Sequence, residues 1–362
     1  MTVQILAAAS PGEVRVAAVR DDALLDYAID RPGAPDGVGD IYRGRVIARA
    51  AALGGVFVAL NGAADGFLPD TAGGKGLTEG VVLGVRVTRA AQGGKGPRLS
   101  ALLPPDQAVG DGPQELVRRG PGAVERLAAR YPDAPVWVDD PALLAALRPS
   151  LGGRPALRHT VFDDALLGAI EALAQPDLAL PGGARLSFHP TPALVAIDVD
   201  TGGAAGPHLA VNRALLPALA QQIRLRNFSG AILLDLAGLP VRRRTSLGPA
   251  LAEALADDPV RPRLLGFTAL GLAEIVRPRV HPPLHELLAG PHAAGLAAAR
   301  AVAAAVAAEP GRMPALRAAP AVARALEQDV AALGDLARRT GRTLMLRSDP
   351  SLAGNQWIME AP

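Results

Sequence analysis

Two apolar runs in this chain end in carboxylates: Leu194-Val195-Ala196-Ile197-Asp198-Val199-Asp200 and Gly230-Ala231-Ile232-Leu233-Leu234-Asp235. Read as strands, each delivers its acids at a C-terminal end, where open α/β sheets usually carry their sites. A strand period of two puts Asp198 and Asp200 on one face about 6.6 Å apart, and neighbouring strands lie about 4.8 Å apart, so Asp198 and Asp235 can share one metal ion. Two carboxylates that close repel unless a proton or a cation relieves them. Oxygen ligands without cysteine or an obvious histidine favour a hard ion, Mg²⁺ or in its place Mn²⁺. Such an ion polarises a phosphodiester and activates a water, which is the chemistry of phosphodiester hydrolysis. The competing reading is local, with Asp198 closing an Asx turn into Thr201-Gly202 and Asp235 capping a turn or helix.

A second set of residues has the types needed to hold a nucleic acid strand. Gly39-Asp40-Ile41-Tyr42-Arg43-Gly44-Arg45-Val46-Ile47, Gly55-Val56-Phe57-Val58-Ala59-Leu60 and Gly66-Phe67-Leu68-Pro69 are similar to the ribosomal "S-one" type of OB-fold. In such barrels a base stacked on an exposed aromatic contributes roughly 1–3 kcal/mol while basic residues hold phosphates. Phe57, Phe67 and Lys95 fit those roles, with Arg43 and Arg98 as helpers. Alternatively, both phenylalanines are ordinary barrel-core residues.

These residues need elements to position them, and the pattern along the chain supplies several. Residues 1–38 read as short strands too few to fold alone, and 39–103 as short β-segments between Gly-rich turns, which suggests a small barrel. Residues 104–185 look α/β, with helices over about 114–129, 141–147 and 164–175 and the strand Val136-Trp137-Val138. From 186 to 290 strands alternate with helices, the signature of an α/β layer. Residues 291–362 carry Ala-rich helices, a helix over about 320–338 and a strand over 343–347. At 362 residues, with 49% hydrophobic and 20% charged residues, the chain is globular and long enough for two or more cores.

The segments flanking the acids are distinctive. Gln221-Gln222-Ile223-Arg224-Leu225-Arg226-Asn227-Phe228-Ser229-Gly230 leads into the second acidic strand, and Leu270-Gly271-Leu272-Ala273-Glu274-Ile275-Val276-Arg277-Pro278-Arg279 closes the module. Together with IDVDTGG they resemble the catalytic module of the ribonuclease E/G family, and the resemblance extends over almost the whole chain. It implies an α+β multidomain fold: an OB-fold barrel (39–103) inserted in a split RNase H-like domain (1–38 and 104–185), then a DNase I-like α/β module (186–290) and a small α/β C-terminal domain (291–362). It also implies a Mg²⁺-dependent endoribonuclease acting on single-stranded RNA. By position, Asp198 and Asp235 match the metal-binding aspartates, and Arg224, Arg226, Arg277 and Arg279 would contact substrate phosphates. Asp200 stands where the family usually has Asn, a catalytic neighbour of the metal ligands. Between Leu102 and Gln114 there is no room for the family's 5′-monophosphate sensor, so cleavage without monophosphate preference is expected. The alternative is a catalytically weak or inactive RNA-binding protein that keeps the fold.

Composition closes off other chemistry. Cysteine is absent, which excludes disulfides, cysteine nucleophiles and the family's thiolate zinc link, so no structural zinc is expected and a homodimer through the C-terminal domain would form without it. His281 and His285 have the spacing of a helical zinc pair, but Pro282 and Pro283 break the helix it needs. The formal charge is only +2, so any RNA site must be a local patch. No secretory signal pattern opens the chain and no uncharged apolar run reaches spanning length, which gives the expectation of a cytoplasmic protein with no membrane partner.

Overall fold

Small apolar residues alternate along Gln4–Ser10 and Glu13–Arg20, and both strands bury both faces. They sit in a five-stranded sheet of order Pro155–Leu157, Val136–Val138, Gln4–Ser10, Glu13–Arg20, Ala23–Asp30. Gln4–Ser10 pairs parallel with Val136–Val138 and antiparallel with Glu13–Arg20. One face packs Ile5, Val16 and Val136 against Val124 and Leu127 of the helix Ala123–Arg130, and the other packs Leu6 and Ala17 against Phe162 and Leu166. This computed structural model describes residues 2–236 and 238–360. It falls into two units, one of residues 1–35, 123–278 and 283–362, the other of residues 36–122 and 279–282.

The first unit also holds a six-stranded sheet of order Asp177–Ala179, Arg185–Pro190, Val195–Asp200, Gly230–Asp235, Ala273–Arg277, Arg263–Phe267. Val195–Asp200 and Gly230–Asp235 run parallel, so the chain needs a long crossover between them. The helix His208–Leu225 provides it. Leu216, Leu219 and Ile223 of that helix, with Leu251 and Leu255 of Gly248–Leu255, cover Ile197, Val199, Ile232, Leu234 and Ile275. The alternate residues of the strands face the other way, with Asp198 and Asp200 exposed and Asp235 partly so. A one-sided apolar core therefore leaves a polar face for the carboxylates.

The remaining part of this unit is a three-stranded sheet, Leu346–Ser348, Ala315–Ala318 and Trp357–Glu360, packed on the helices Gly290–Ala308, Pro320–Gln328 and Val330–Thr340. Gly290–Ala308 is long and apolar enough to cross a membrane by length and composition. Here it sends Leu296, Ala298, Ala299 and Val302 into the local core.

The second unit is a barrel. Its strands Ile41–Ala50, Gly55–Ala59, Gly66–Pro69, Arg98–Ser100 and Val82–Arg89 pair in that order, and Val82–Arg89 closes on Ile41–Ala50. This closed five-strand arrangement is compatible with an OB-fold. Tyr42, Val46, Val56, Val58, Leu68, Val85, Val87 and Leu99 fill it.

Three elements differ most from those read off the sequence. The helix expected over 114–129 is a strand, Glu115–Arg118, that adds to Ile41–Ala50, followed by the shorter helix Ala123–Arg130; Gly120-Pro121-Gly122 separates the two. The helix expected over 320–338 breaks at Asp329, whose side chain accepts from Ala332 N at 2.9 Å and so starts a new helix. The strand expected over 343–347 begins only at Leu346.

Candidate active site

Asp198 and Asp235 are register partners on adjacent parallel strands, so their side chains leave the same face. Asp198 is exposed and, among the described residues, makes no hydrogen bond or ion pair. Asp235 is half exposed and receives a charge-assisted hydrogen bond from Arg244 Nη1. Arg244 is itself fixed, with Nε donating to Leu239 O at 2.7 Å.

Gly271 explains how Arg244 reaches this position. Its φ is +81°, and a Cβ there would lie 3.0 Å from Arg244 Cδ and 3.2 Å from Val241 Cγ2. The glycine of the Leu270-Gly271-Leu272 motif thus permits both a left-handed backbone and the close passage of the arginine. Sequence reasoning missed Arg244; the signal available was the run Arg242-Arg243-Arg244 directly after the second acidic strand. Arg242 and Arg243 are exposed on the short helix Val241–Thr245.

Asp200 has a different task from Asp198. Its Oδ1 accepts from Gly202 N at 2.8 Å, and its Oδ2 lies 3.9 Å from Arg185 Nη2. The Asx turn considered for Asp198 belongs to Asp200 instead. His208, also missed, joins the two loops behind the acids: Nδ1 lies 3.0 Å from Thr201 Oγ1, and its ring lies so close to Gly238 that a Cβ there would be 2.8 Å from Nδ1.

Among the described residues no three His, Asp or Glu side chains converge as a metal cage. The pair Asp198 and Asp235 nevertheless suits Mg²⁺, which dehydrates reluctantly and is held by one or two carboxylates with water and substrate oxygens completing the shell. His281 and His285 form no such site. His281 Nδ1 meets Asp36 Oδ2 at 2.6 Å, and the His285 ring lies 5.8 Å from that of Phe228.

The arginines expected to hold substrate phosphates are mostly interior. Arg224 binds Asp26 Oδ1 at 2.9 Å, Leu25 O at 3.2 Å and Asp257 Oδ2 at 3.3 Å. Arg226 is buried, donates to the carbonyls of Ala172, Leu173 and Gln175, and stacks 4.3 Å from the Phe188 ring. Burial lowers its pKa to about 10. Arg277 is 3% exposed and paired with the equally buried Asp258 at 2.7 Å. It also donates to Asn227 Oδ1 at 2.7 Å and Phe228 O at 3.0 Å. These three expectations are corrected: most of each guanidinium's five donors are engaged inside the fold, so none of the three is presented to RNA. Asn227, at φ 50°, tolerates the left-handed turn that lets it accept from Arg277. Arg279 belongs to the barrel unit and is half-buried there.

In the barrel, Phe57 and Phe67 are register partners on its outer wall, in edge contact at 5.6 Å. Both are partly exposed, while Val56, Val58 and Leu68 between them point inward, so neither is a core residue. Arg98 is opposite Phe67 on the next strand and exposed. Lys95 is exposed at the base of the Gly93-Gly94 turn, which its bridge with Gln92 closes. Arg43 is the exception: it is buried, donating to Gly110 O at 2.8 Å, Pro113 O at 2.9 Å and Glu115 Oε1 at 2.7 Å, and its expected helper role is corrected to one of holding the loop before Glu115–Arg118.

Residues 158–280, which include both acidic strands, match the model of the Ribonuclease E/G family. The chain is similar to a ribonuclease E of Nostoc sp., 33% identical over 126 residues that make up 33% of this chain and 18% of that protein. It is 34% identical over 124 residues to ribonuclease E of Escherichia coli, covering 32% of this chain and 12% of that protein. A ribonuclease G of Haemophilus influenzae is 29% identical over 127 residues, 33% of this chain and 26% of that protein. The matched segment thus spans less than a fifth of either ribonuclease E, and the barrel lies outside the family match.

Proposed function

We propose that this chain, which belongs to the ribonuclease E/G family through residues 158–280, is an endoribonuclease that hydrolyses single-stranded RNA with Asp198 and Asp235 as the ligands of one Mg²⁺. The observation that carries this reading is the exposed Asp198, without a hydrogen bond or ion pair among the described residues, opposite Asp235 at the C-terminal ends of two parallel strands. Mg²⁺ bound there supplies a Lewis acid for the scissile phosphate and a water of lowered pKa. Asp198 and Asp235 hold the ion; Arg244 orients Asp235 and balances its charge before the ion arrives. Arg242 and Arg243, exposed on the same short helix as Arg244, take the phosphates flanking the scissile bond. Asp200 shapes the turn after Asp198 and is neither a base nor a ligand in this scheme.

In the barrel, the base-stacking surface is Phe57 with Phe67, and Lys95 and Arg98 hold phosphates. The sheet order with Gln4–Ser10 central supports an RNase H-like domain interrupted by the barrel, and the six-stranded sheet with its crossover helix supports a DNase I-like module. After the last closing strand the chain forms one short helical turn and one strand laid on the barrel before the helix Ala123–Arg130, which favours cleavage without monophosphate sensing. A second reading, an RNA-binding protein without catalysis, is favoured by the presence of Arg244 on Asp235.

The test is a fluorogenic single-stranded oligonucleotide carrying a 5′-hydroxyl or a 5′-monophosphate, incubated with the protein in Mg²⁺ or EDTA. Cleavage in Mg²⁺ at equal rates for both ends, leaving 5′-phosphate products, is expected. Bound but intact RNA under every condition would transfer support to the second reading.

A further inference from the structure

Hydrolysis at Asp198 and Asp235 needs a proton that neither acid is free to give. Breaking the bond from phosphorus to a ribose 3′-oxygen places negative charge on that oxygen, and a side chain that protonates it there lowers the barrier. The two aspartates are engaged with the ion, and Arg244 stays charged, because a guanidinium does not deprotonate in proteins. Beyond the acidic strands, positions 201–207 read Thr-Gly-Gly-Ala-Ala-Gly-Pro and positions 236–240 read Leu-Ala-Gly-Leu-Pro. Neither loop holds a carboxylate, an imidazole or an amine. The residue that follows the first loop is His208.

The ring of His208 is held on two sides. Its Nδ1 lies 3.0 Å from Oγ1 of Thr201, whose residue is 5% exposed. On the other side Gly238, at φ +63°, brings backbone so close that a Cβ would lie 2.8 Å from Nδ1, 2.9 Å from Cε1 and 3.0 Å from Cγ. A larger residue there would displace the imidazole. Thr201 follows Asp198 by three residues and Gly238 follows Asp235 by three, and the two acids are register partners. Three residues of chain reach at most about 10 Å, so the ring stands at the strand ends that carry the acids. The tie to Thr201 uses one nitrogen. Nε2 makes no hydrogen bond or ion pair among the described residues, and the residue is exposed.

We propose that His208 is a catalytic residue, the general acid whose imidazolium Nε2–H protonates the departing 3′-oxygen. The inference rests on the endoribonuclease reading above and deepens it. In the imidazolium, Nδ1–H donates to Thr201 Oγ1 and fixes the ring, which leaves Nε2–H for the substrate. Attack of water forms the new bond to phosphorus as the bond to the 3′-oxygen breaks. The electron pair of the broken bond takes the Nε2 proton, so the products are a 5′-phosphate and a 3′-hydroxyl. The attacking water's proton passes to solvent, and solvent restores the proton on Nε2.

The leaving group provides the test. A thiolate, the anion of a far stronger acid than an alcohol, departs without being protonated. Single-turnover cleavage of a single-stranded RNA whose scissile linkage carries a 3′-oxygen or a 3′-sulphur is measured in Mn²⁺ with the full chain as wild type, His208→Asn and His208→Ala. The asparagine amide takes the place of Nδ1 beside Thr201 and removes only the transferable proton. Both variants should cleave the oxygen substrate about a hundredfold or more slowly than the wild type, the scale of general acid catalysis. On the sulphur substrate they should keep close to the wild-type rate, and comparison within each substrate cancels any effect of sulphur on the ion. Mn²⁺ affinity should also stay that of the wild type. Equal slowing on both substrates, or slowing that follows weakened Mn²⁺ binding, would overturn the proposal and make His208 a tie between loops. Unchanged cleavage of the oxygen substrate in both variants would overturn it too, while leaving the hydrolytic reading in place. Wild type that cleaves neither substrate would overturn that reading, and the role of His208 with it.

Discussion

Arg244 holds Asp235 in a charge-assisted hydrogen bond while Asp198, directly opposite on the neighbouring strand, makes no hydrogen bond or ion pair among the described residues. The two aspartates thus enter the proposed chemistry from different starting points, one free to accept an ion and the other already balanced by a cation of the protein.

This asymmetry predicts the effect of removing the arginine. Arg244→Met should bind Mg²⁺ or Mn²⁺ more tightly by roughly tenfold, since unit charges near 4 Å at a protein surface interact on the order of 1–4 kcal/mol. Titration of Mn²⁺ followed by electron paramagnetic resonance reads this directly. Weaker metal binding in Arg244→Met would show that the arginine supports the site by shape and not by charge.

Arg277 tests the reassignment of the signature arginines. Its guanidinium and the Asp258 carboxylate are both buried, and removing one partner of such a pair costs about 3–5 kcal/mol. Arg277→Ala should therefore unfold at markedly lower denaturant concentration. The salt dependence of RNA binding by the folded fraction should stay that of the wild type; a shallower slope would restore Arg277 as a phosphate contact.

The aromatic pair makes the opposite prediction. Phe57 and Phe67 lie outside the barrel core, so Phe67→Ala should leave the barrel folded while weakening RNA binding by about 1–3 kcal/mol, one stacked base. Fluorescence anisotropy with a short unstructured RNA, paired with circular dichroism, separates the two effects. Loss of structure without a change in affinity would return Phe67 to a packing role.

The strands Val195–Asp200 and Gly230–Asp235 could be read from the sequence to within a residue, because short apolar runs bounded by Gly, Pro or polar residues have one easy solution. The position of the acids followed from those strands. The fate of the arginines did not: Arg224 meets Asp26 across 198 positions of chain, and no local pattern announces that a charge will be neutralised from so far away. A motif dense in arginine therefore looked like a phosphate grip when three of its members are internal ties. Lys95 and Arg98 are exposed, one beside a Gly-rich turn and the other at an outward strand position.

The central claim is that Asp198 with Asp235 forms the metal-dependent hydrolytic centre. Single-turnover cleavage of a single-stranded oligonucleotide, measured across a Mg²⁺ titration for the wild type and Asp198→Asn, tests it most directly. Asp198 is exposed and makes no hydrogen bond or ion pair among the described residues, so the variant should fold with stability within about 0.5 kcal/mol of the wild type. Its cleavage rate should fall by about a hundredfold or more, the scale on which a single electrostatic stabiliser of the transition state acts. Equal Mg²⁺-dependent rates for the two proteins would contradict the account and place the hydrolytic centre elsewhere in the chain.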